Sequence, residues 1–359
     1  MDEDRSRIPA RGVPAVLDAD GGRVNPNALD RLSDLDKRIV VAMQRDGRAS
    51  WRAIADAVGG TVATVTRRGQ QLIASGVVRV AAVPALGAHG TYDAFFVRIT
   101  CRPGMQMAVA EQLIAQPDVR FCTVVTGNYD IMAELVVRGG ATHYPQLLED
   151  LQGIDGVAQW RSDLIMHVYK VSFDWGRQLY GERIDQDVAA IEPEEPETCK
   201  PEHFDDADLQ ILAALREDGR ETFQRIADGL GMNESSVRRR FERMRAARCV
   251  DILTLVPSAA LGMGAETLMT VRVAPARLDA VARELARYPF VRYLAAMLDE
   301  NALLCEVITP AVPELYRFIT ESLSRLDGVE GWSANMELLY LKRGFIETPW
   351  WRGQVAPSR

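Results

Sequence analysis

The chain has little cysteine, and its five residues of that type, Cys101, Cys122, Cys199, Cys249 and Cys305, include no Cys-x-x-Cys pair. An odd, scattered set argues against a disulfide framework and against a zinc site, so no metal is expected. Cys101, Cys122 and Cys305 fall in strand-like apolar stretches and read as small buried hydrophobes. Long apolar runs are also missing. None approaches the roughly 18 uncharged residues of a membrane span, and Met1-Asp2-Glu3-Asp4 is a poor start for a secretory signal. A cytoplasmic location without a membrane partner is therefore the expectation. A Gly-rich phosphate loop, a nucleophile beside a base and a paired-carboxylate site are all lacking, so neither catalysis nor a bound cofactor is expected.

Basic charge is in deficit too, since the formal net charge is −8. Its distribution removes the difficulty this poses for nucleic-acid binding. Between Glu182 and Asp208 stand eleven acidic residues and two basic ones (Arg183, Lys200), a local net of −9 that leaves the remainder near +1. Within it, Glu192-Pro193-Glu194-Glu195-Pro196-Glu197 cannot build a core and reads as an extended, self-repelling linker.

What is present is a duplication. Leu32 to Val80 lies over Phe204 to Ile252 at a constant offset of 172, with Asp46-Gly47-Arg48 on Asp218-Gly219-Arg220 and Ile54-Ala55-Asp56 on Ile226-Ala227-Asp228. Further on, Pro117 matches Pro289, Asp155-Gly156-Val157 matches Asp327-Gly328-Val329, and Trp160 matches Trp332. A period this long marks two whole two-domain units rather than a solenoid.

Each copy opens with three short helical patterns. Asp34 to Arg45 is apolar at helical spacing and stops at Gly47; a second segment follows Ser50 and ends at Gly59-Gly60; a third begins at Thr61. This spacing describes a helix-turn-helix. At about 100° per residue, the outward face of the third helix is Ala63, Thr64, Arg67, Gln70 and Gln71 in copy one. In copy two it is Ser235, Ser236, Arg239, Glu242 and Arg243. Six arginines between Arg238 and Arg248, Arg238 among them, add the charge that phosphate binding needs. Thr64, Arg67, Gln71, Ser235, Ser236, Arg238, Arg239 and Arg243 are the candidate DNA contacts. Arg68 and Arg240 lie nearer the apolar side and suit either DNA or an internal carboxylate. Gly69 stands where copy two has Phe241, which predicts a softer first recognition helix.

The second half of each copy reads β-α-β-β-α-β, from Tyr92 to Val171 and again from Leu268 to Leu341, with a short connecting strand before it (Val77 to Val80; Ile252 to Leu255). The predicted fold class is α+β: two winged or helix-turn-helix domains and two ferredoxin-like ligand-sensing domains. The expected division is an arm at 1–29, helix-turn-helix domains at 30–82 and 203–256, ferredoxin-like domains at 90–173 and 264–344, the acidic linker at 174–202, and a tail at 345–359.

This order, with the Asp-Gly-Arg turn and the hairpin Thr126-Gly127-Asn128-Tyr129-Asp130, resembles the Lrp/AsnC, or feast/famine, transcription regulators. The resemblance implies double-stranded DNA as a partner, an amino acid or similar small effector bound at the hairpin residues Thr126, Gly127, Asn128, Tyr129 and Asp130, and homo-oligomers, here of pseudo-dimeric chains. Gly127 would let a ligand approach the backbone and Asp130 would receive an ammonium group; the alternative is a tight hairpin with Asp130 as its cap. In copy two the offset puts Asp299, Glu300, Asn301 and Ala302 over Gly127 to Asp130, so only the first sensor is expected to keep the ligand site. Two other readings stand beside this one. Siroheme decarboxylases are similar in arrangement, but His89, His143, His167 and His203 are not repeated between the copies. The other is a sensor that has lost DNA binding.

Overall fold

The computed structural model describes residues 32–86, 92–176, 199–299 and 302–354. The predicted arm, most of the acidic linker, the end of the tail, His89, Glu300 and Asn301 lie outside the described residues. Copy one comprises α1 (Asp34–Arg45), α2 (Trp51–Val58), α3 (Val62–Ala74), β1 (Arg79–Pro84), β2 (Tyr92–Cys101), α4 (Gln106–Ala115), β3 (Val119–Val125), β4 (Ile131–Arg138), α5 (Tyr144–Gln152) and β5 (Val157–Val171). Copy two comprises α6 (Asp206–Glu217), α7 (Phe223–Leu230), α8 (Glu234–Ala246), β6 (Val250–Leu255), β7 (Ala265–Val273), α9 (Leu278–Ala286), β8 (Val291–Met297), β9 (Ala302–Thr309), α10 (Val312–Arg317) and β10 (Val329–Arg343), and ends in β11 (Ile346–Glu347).

The helices begin where their caps dictate. Ser33, Ser50 and Thr61 accept the backbone N–H of Asp36, Ala53 and Thr64, and Asp205 and Asp208 form a reciprocal capping box on α6. Gly59 and Gly231 end α2 and α7 in the left-handed region, where a side chain would be strained. Ile39, Met43, Ile54 and Val65 make the first helical core, and Ile211, Leu215, Ile226 and Val237 the second.

The connecting strands join the copies. β1 and β6 pair antiparallel from Arg79 opposite Leu255 to Pro84 opposite Val250. Behind them the sensor halves share one closed sheet, in the order β10-β3-β4-β2-β5-β8-β9-β7 with β7 returning to β10. The closure rests on two 15-residue strands that change partners midway. β5 pairs with β2 up to Leu164 and with β8 from Ile165; β10 pairs with β7 up to Met336 and with β3 from Glu337. Helices α4 and α5 cover one outer face over Ile99, Leu113, Ile131 and Leu151, and α9 and α10 cover the other over Met269, Leu285, Leu294 and Leu303.

Two expectations are corrected. Cys199 and Cys249, 50 residues apart, are joined as a disulfide, because the turn at Pro201–His203 lays the linker exit against the start of β6. The sequence separation hid that approach. The His203 ring nitrogen lies 3.4 Å from Sγ of Cys249, but the bonded sulfurs offer no thiolate to a metal. Cys101, Cys122 and Cys305 are free and buried, as their strand-like surroundings suggest.

The second correction concerns Gly69. It is buried, and a Cβ there would overlap the indole of Trp51. At the equivalent positions copy two pairs Phe223 with Phe241, ring centroids 5.4 Å apart. Copy one has moved the aromatic bulk from α3 to α2, so the glycine marks a filled core rather than a soft one. Gly69→Ala, which helix propensity alone would favour, should instead destabilise the chain by about 1–3 kcal/mol through overpacking; urea unfolding measures the sign.

Candidate nucleic-acid interface and sensor hairpin

Each recognition helix sorts its basic residues into those bound within the domain and those turned outward. In copy one, Arg68 donates from Nε to Asp36 at 2.8 Å. In copy two, Arg240 donates to Asp208 at 3.0 Å and Asp205 at 2.7 Å. These two arginines are therefore domain braces. Arg243, placed among the DNA contacts by its helical angle, also pairs with the buried Asp208 while half of its side chain stays exposed. Arg238 pairs with Glu234 one turn back and lies 5.1 Å over the Phe223 ring. Thr64 and Ser236 are half-buried; Arg67, Gln71, Ser235 and Arg239 are exposed. Arg67 and Arg239 occupy the same repeat position. Both are exposed, and no hydrogen bond or ion pair within the described residues engages either guanidinium.

The two reading domains are clamped to each other by their repeated turns. Arg48 donates to the carbonyls of Gly219 and Glu221, and Arg220 donates to those of Gly47 and Ala49. Each guanidinium also stacks on the other copy's aromatic, Arg48 at 4.4 Å from the Phe223 centroid and Arg220 at 4.3 Å from that of Trp51. Burial lowers the pKa of both arginines, and for Arg48 the nearby Arg220 adds to the effect. Gly219 has to be glycine because a Cβ there would stand 2.7 Å from the backbone nitrogen of Ala81 in β1. The repetition of Asp-Gly-Arg was legible in the sequence; its role as a reciprocal clamp was not.

The five hairpin residues stay together between β3 and β4. Thr126 is tied to β10 of the other copy, its backbone N–H donating to Met336 O at 2.9 Å and its side-chain Oγ1 accepting from Met336 N at 3.0 Å. Gly127 (φ +99°) has no room for a side chain because the Asn335 amide occupies the space, and Asn128 is exposed. Tyr129 packs against the apolar interior with Phe96 and Met297. Asp130 accepts from Cys101 N at 2.7 Å and from the Gln106 amide at 3.3 Å. The carboxylate thus caps β2, a neighbouring strand, rather than its own turn. At the corresponding place in copy two, Asp299 pairs with Arg161 at 2.7 Å.

Sequence reasoning missed the charged interior of the closed sheet. Two repeated pairs face inward, Arg120 with Glu134 at 2.6 Å and Arg292 with Glu306 at 2.6 Å. On copy two's side the network extends through Glu266, Arg343 and Tyr340. Burial alone would push the Glu306 carboxyl up, but the guanidiniums of Arg292 and Arg343 outweigh it and hold the group well below the usual carboxylate range. Glu337 has both oxygens buried without a hydrogen-bond partner among the described residues, and burial raises its pKa well above the usual carboxylate range. Phe96, Arg120, Glu134, Arg292, Tyr293 and Glu306 surround a cavity of about 40 Å³, room for one or two waters. The signal that could have exposed these pairs is the offset itself, which carries Arg120 onto Arg292 and Glu134 onto Glu306.

Paired helix-turn-helix domains tied to one shared α/β sensor define a DNA-binding regulator with a ligand-sensing domain. The AsnC-type helix-turn-helix domain family matches residues 32–73 and 204–245, and the Lrp/AsnC ligand binding domain family matches 94–174 and 266–344. The chain belongs to the Lrp/AsnC family of transcription regulators. An HTH-type transcriptional regulator of Pyrococcus abyssi is 29% identical over 147 residues, 41% of this chain and 90% of the relative. LrpA of Pyrococcus horikoshii is 28% identical over 127 residues, 35% and 90% of the two chains. Each relative is thus the length of one copy. The crystal structure of the siroheme decarboxylase NirDL aligns over 89% of this chain and 96% of its own with a TM-score of 0.58 at 14% identity, a likeness of fold across both copies. Among the described residues no helix is long and apolar enough to cross a membrane.

Removing one partner of the interior network strands the others. Arg292→Met should cost about 3–5 kcal/mol in urea unfolding, because Glu306 and Glu266 would stay buried without their shared cation.

Proposed function

We propose that this chain is an effector-responsive transcription regulator in which one polypeptide supplies both reading heads that other members of its family assemble from two subunits. The observation that carries the reading is the exposed, unengaged pair Arg67 and Arg239 at one repeat position, one on each recognition helix. Thr64, Gln71, Ser235, Ser236 and Arg238 complete the proposed contacts, with Arg243 reaching a phosphate from its half-exposed brace on Asp208. The two faces carry different residues beside the shared arginine, so one chain should occupy a site with non-identical half-sites. Footprinting checks this, and a symmetric site covered by a single chain overturns it. In gel shifts on DNA upstream of its own coding region, Arg239→Ala should weaken binding by about 1–3 kcal/mol if the arginine reads a base. Arg67→Ala should behave alike, with neither variant changing the melting temperature.

The effector is proposed to be an amino acid or related metabolite with its ammonium group on Asp130. The support is a carboxylate already fixed by Cys101 N and the Gln106 amide. Calorimetry with amino acids should lose its signal in Asp130→Ala and keep it in Asp299→Ala; the reverse assigns sensing to copy two. Exposed apolar residues on the second sensor, Leu298, Tyr316 and Trp332 among them, support further association of chains in the cytoplasm.

The fold likeness to a siroheme decarboxylase raises an enzymatic reading. Against it stand an interior cavity of about 40 Å³ whose lining arginines are ion-paired, and the absence of any histidine from that lining. A Soret band in the purified protein, together with no shift of DNA, would reverse the assignment.

A further inference from the structure

Among the described residues two groups of potential metal ligands come together: Glu266, Glu306 and Glu337 inside the closed sheet, and Cys199, His203 and Cys249 at the second reading head. The first group is engaged, since Arg292 and Arg343 pair with Glu266 and Glu306. The second differs in kind: two sulfurs and an imidazole are soft donors.

These donors come from separate places in the fold. Cys199 precedes and His203 ends the short turn Pro201–His203, which leads to Asp205, the cap of α6. Cys249 stands between the end of α8 and the start of β6, its N–H donated to Met244 O of the recognition helix at 2.8 Å. The His203 N–H donates to Lys200 O at 3.0 Å and its Nδ1 accepts from Lys200 N at 3.2 Å. That second bond puts the ring proton on Nε2 and a lone pair on Nδ1, the atom 3.4 Å from Cys249 Sγ. All three donor atoms lie within 4.8 Å of one another. A tetrahedral zinc ion, with Zn–S of about 2.3 Å and Zn–N of about 2.0 Å, spaces such donors about 3.5–3.8 Å apart. Side-chain rotations are enough to reach that spacing once the sulfurs are no longer bonded.

The duplication shows that the repeat does not need the cross-link. Subtracting 172 from Cys199, His203 and Cys249 gives Asn27, Arg31 and Val77. Val77 is a buried apolar residue of the first helical core, and β1 beyond it reaches its pairing with β6 with no sulfur at the joint. The three donors are therefore an addition of copy two. For a chain proposed to work in the cytoplasm, where thiols are kept reduced, the disulfide is one of two states. The other holds two thiols beside a histidine, whose protonated ring lowers the pKa of a neighbouring thiol.

We propose that the reduced corner of Cys199, His203 and Cys249 binds Zn2+, and that the metal-bound and disulfide forms exclude each other. A dithiol reductant gives two electrons and two protons to the Cys199–Cys249 bond and closes to its own disulfide. Zn2+ then displaces the two thiol protons to solvent and replaces the Lys200 N–H at Nδ1. Water or a further side chain takes the fourth position of the tetrahedron. Either form ties the start of α6 to the end of α8, next to the bonds from Arg240 to Asp205 and Asp208, and the metal-free thiol form releases that tie. The second reading head thereby answers to metal and thiol status without involving the hairpin.

The test is titration of the full chain with Co2+, as a coloured stand-in for zinc, after reduction with dithiothreitol and desalting under nitrogen. One Co2+ per chain should bind, with the near-ultraviolet charge-transfer band of a thiolate ligand and the visible bands of a tetrahedral ion. Zn2+ should bleach both and Mg2+ neither. The oxidised chain should show no such bands. Cys199→Ser, Cys249→Ser and His203→Ala should each weaken binding by roughly tenfold or more, at least as much as loss of an outer partner does. His203→Cys should restore it, with thermal melts showing every variant folded. No thiolate band after reduction, the same band in the oxidised chain, or unchanged affinity in either serine variant or in His203→Ala would each overturn the proposal. The serine variants also separate this corner from the buried thiols Cys101, Cys122 and Cys305, which they leave in place.

Discussion

The exchange of β5 and β10 between the two sensor sheets is the constraint on which the molecule depends. A four-stranded βαββαβ sheet has one face for its helices and a second that must find cover, as well as open edges. Here each copy covers the other's open face, and the two long strands close the ring so that its eight strands have no free edge. The hairpins, the connecting strands and the linked reading heads all take their places from this pairing. Thr126 finds Met336, and Asp299 finds Arg161, at the two points where a long strand crosses over.

Closing two sheets face to face would ordinarily produce an apolar interior, and part of it is one, with Phe96, Met132, Leu268 and Leu304 in contact. The other part is ionic. Paired guanidiniums and carboxylates buried at 2.6 Å contribute less net stability than their geometry suggests, since desolvation offsets much of the attraction. Their effect is on specificity: any slip in register among β7, β8 and β9 would separate Arg292 from Glu306 and Glu266 in a medium that cannot solvate them.

Within this near-symmetric frame the copies have diverged by compensated exchanges. Trp51 with Gly69 does the packing that Phe223 with Phe241 does in the other copy. Gln44 and Pro310 stand at the repeat positions of Arg216 and Arg138. The helical skeleton survives these changes because each preserves volume or fills a gap, while the surface that meets DNA or a ligand does not stay the same. Two reading heads with one shared arginine and otherwise different faces follow from that history.

Much was determined by the sequence alone. The offset of 172 and the change from helical to alternating apolar periods reveal the duplication and the order of helices and strands in each copy, because periodicity is a local property of the chain. Helical angle could not settle which arginines are spent internally: Arg243 points outward and still reaches Asp208, since long side chains bend toward a buried carboxylate. The Cys199–Cys249 bond and the Arg48 and Arg220 clamp were likewise invisible, each joining residues 50 or more positions apart. Such contacts depend on how whole elements pack, and only the tertiary structure decided them.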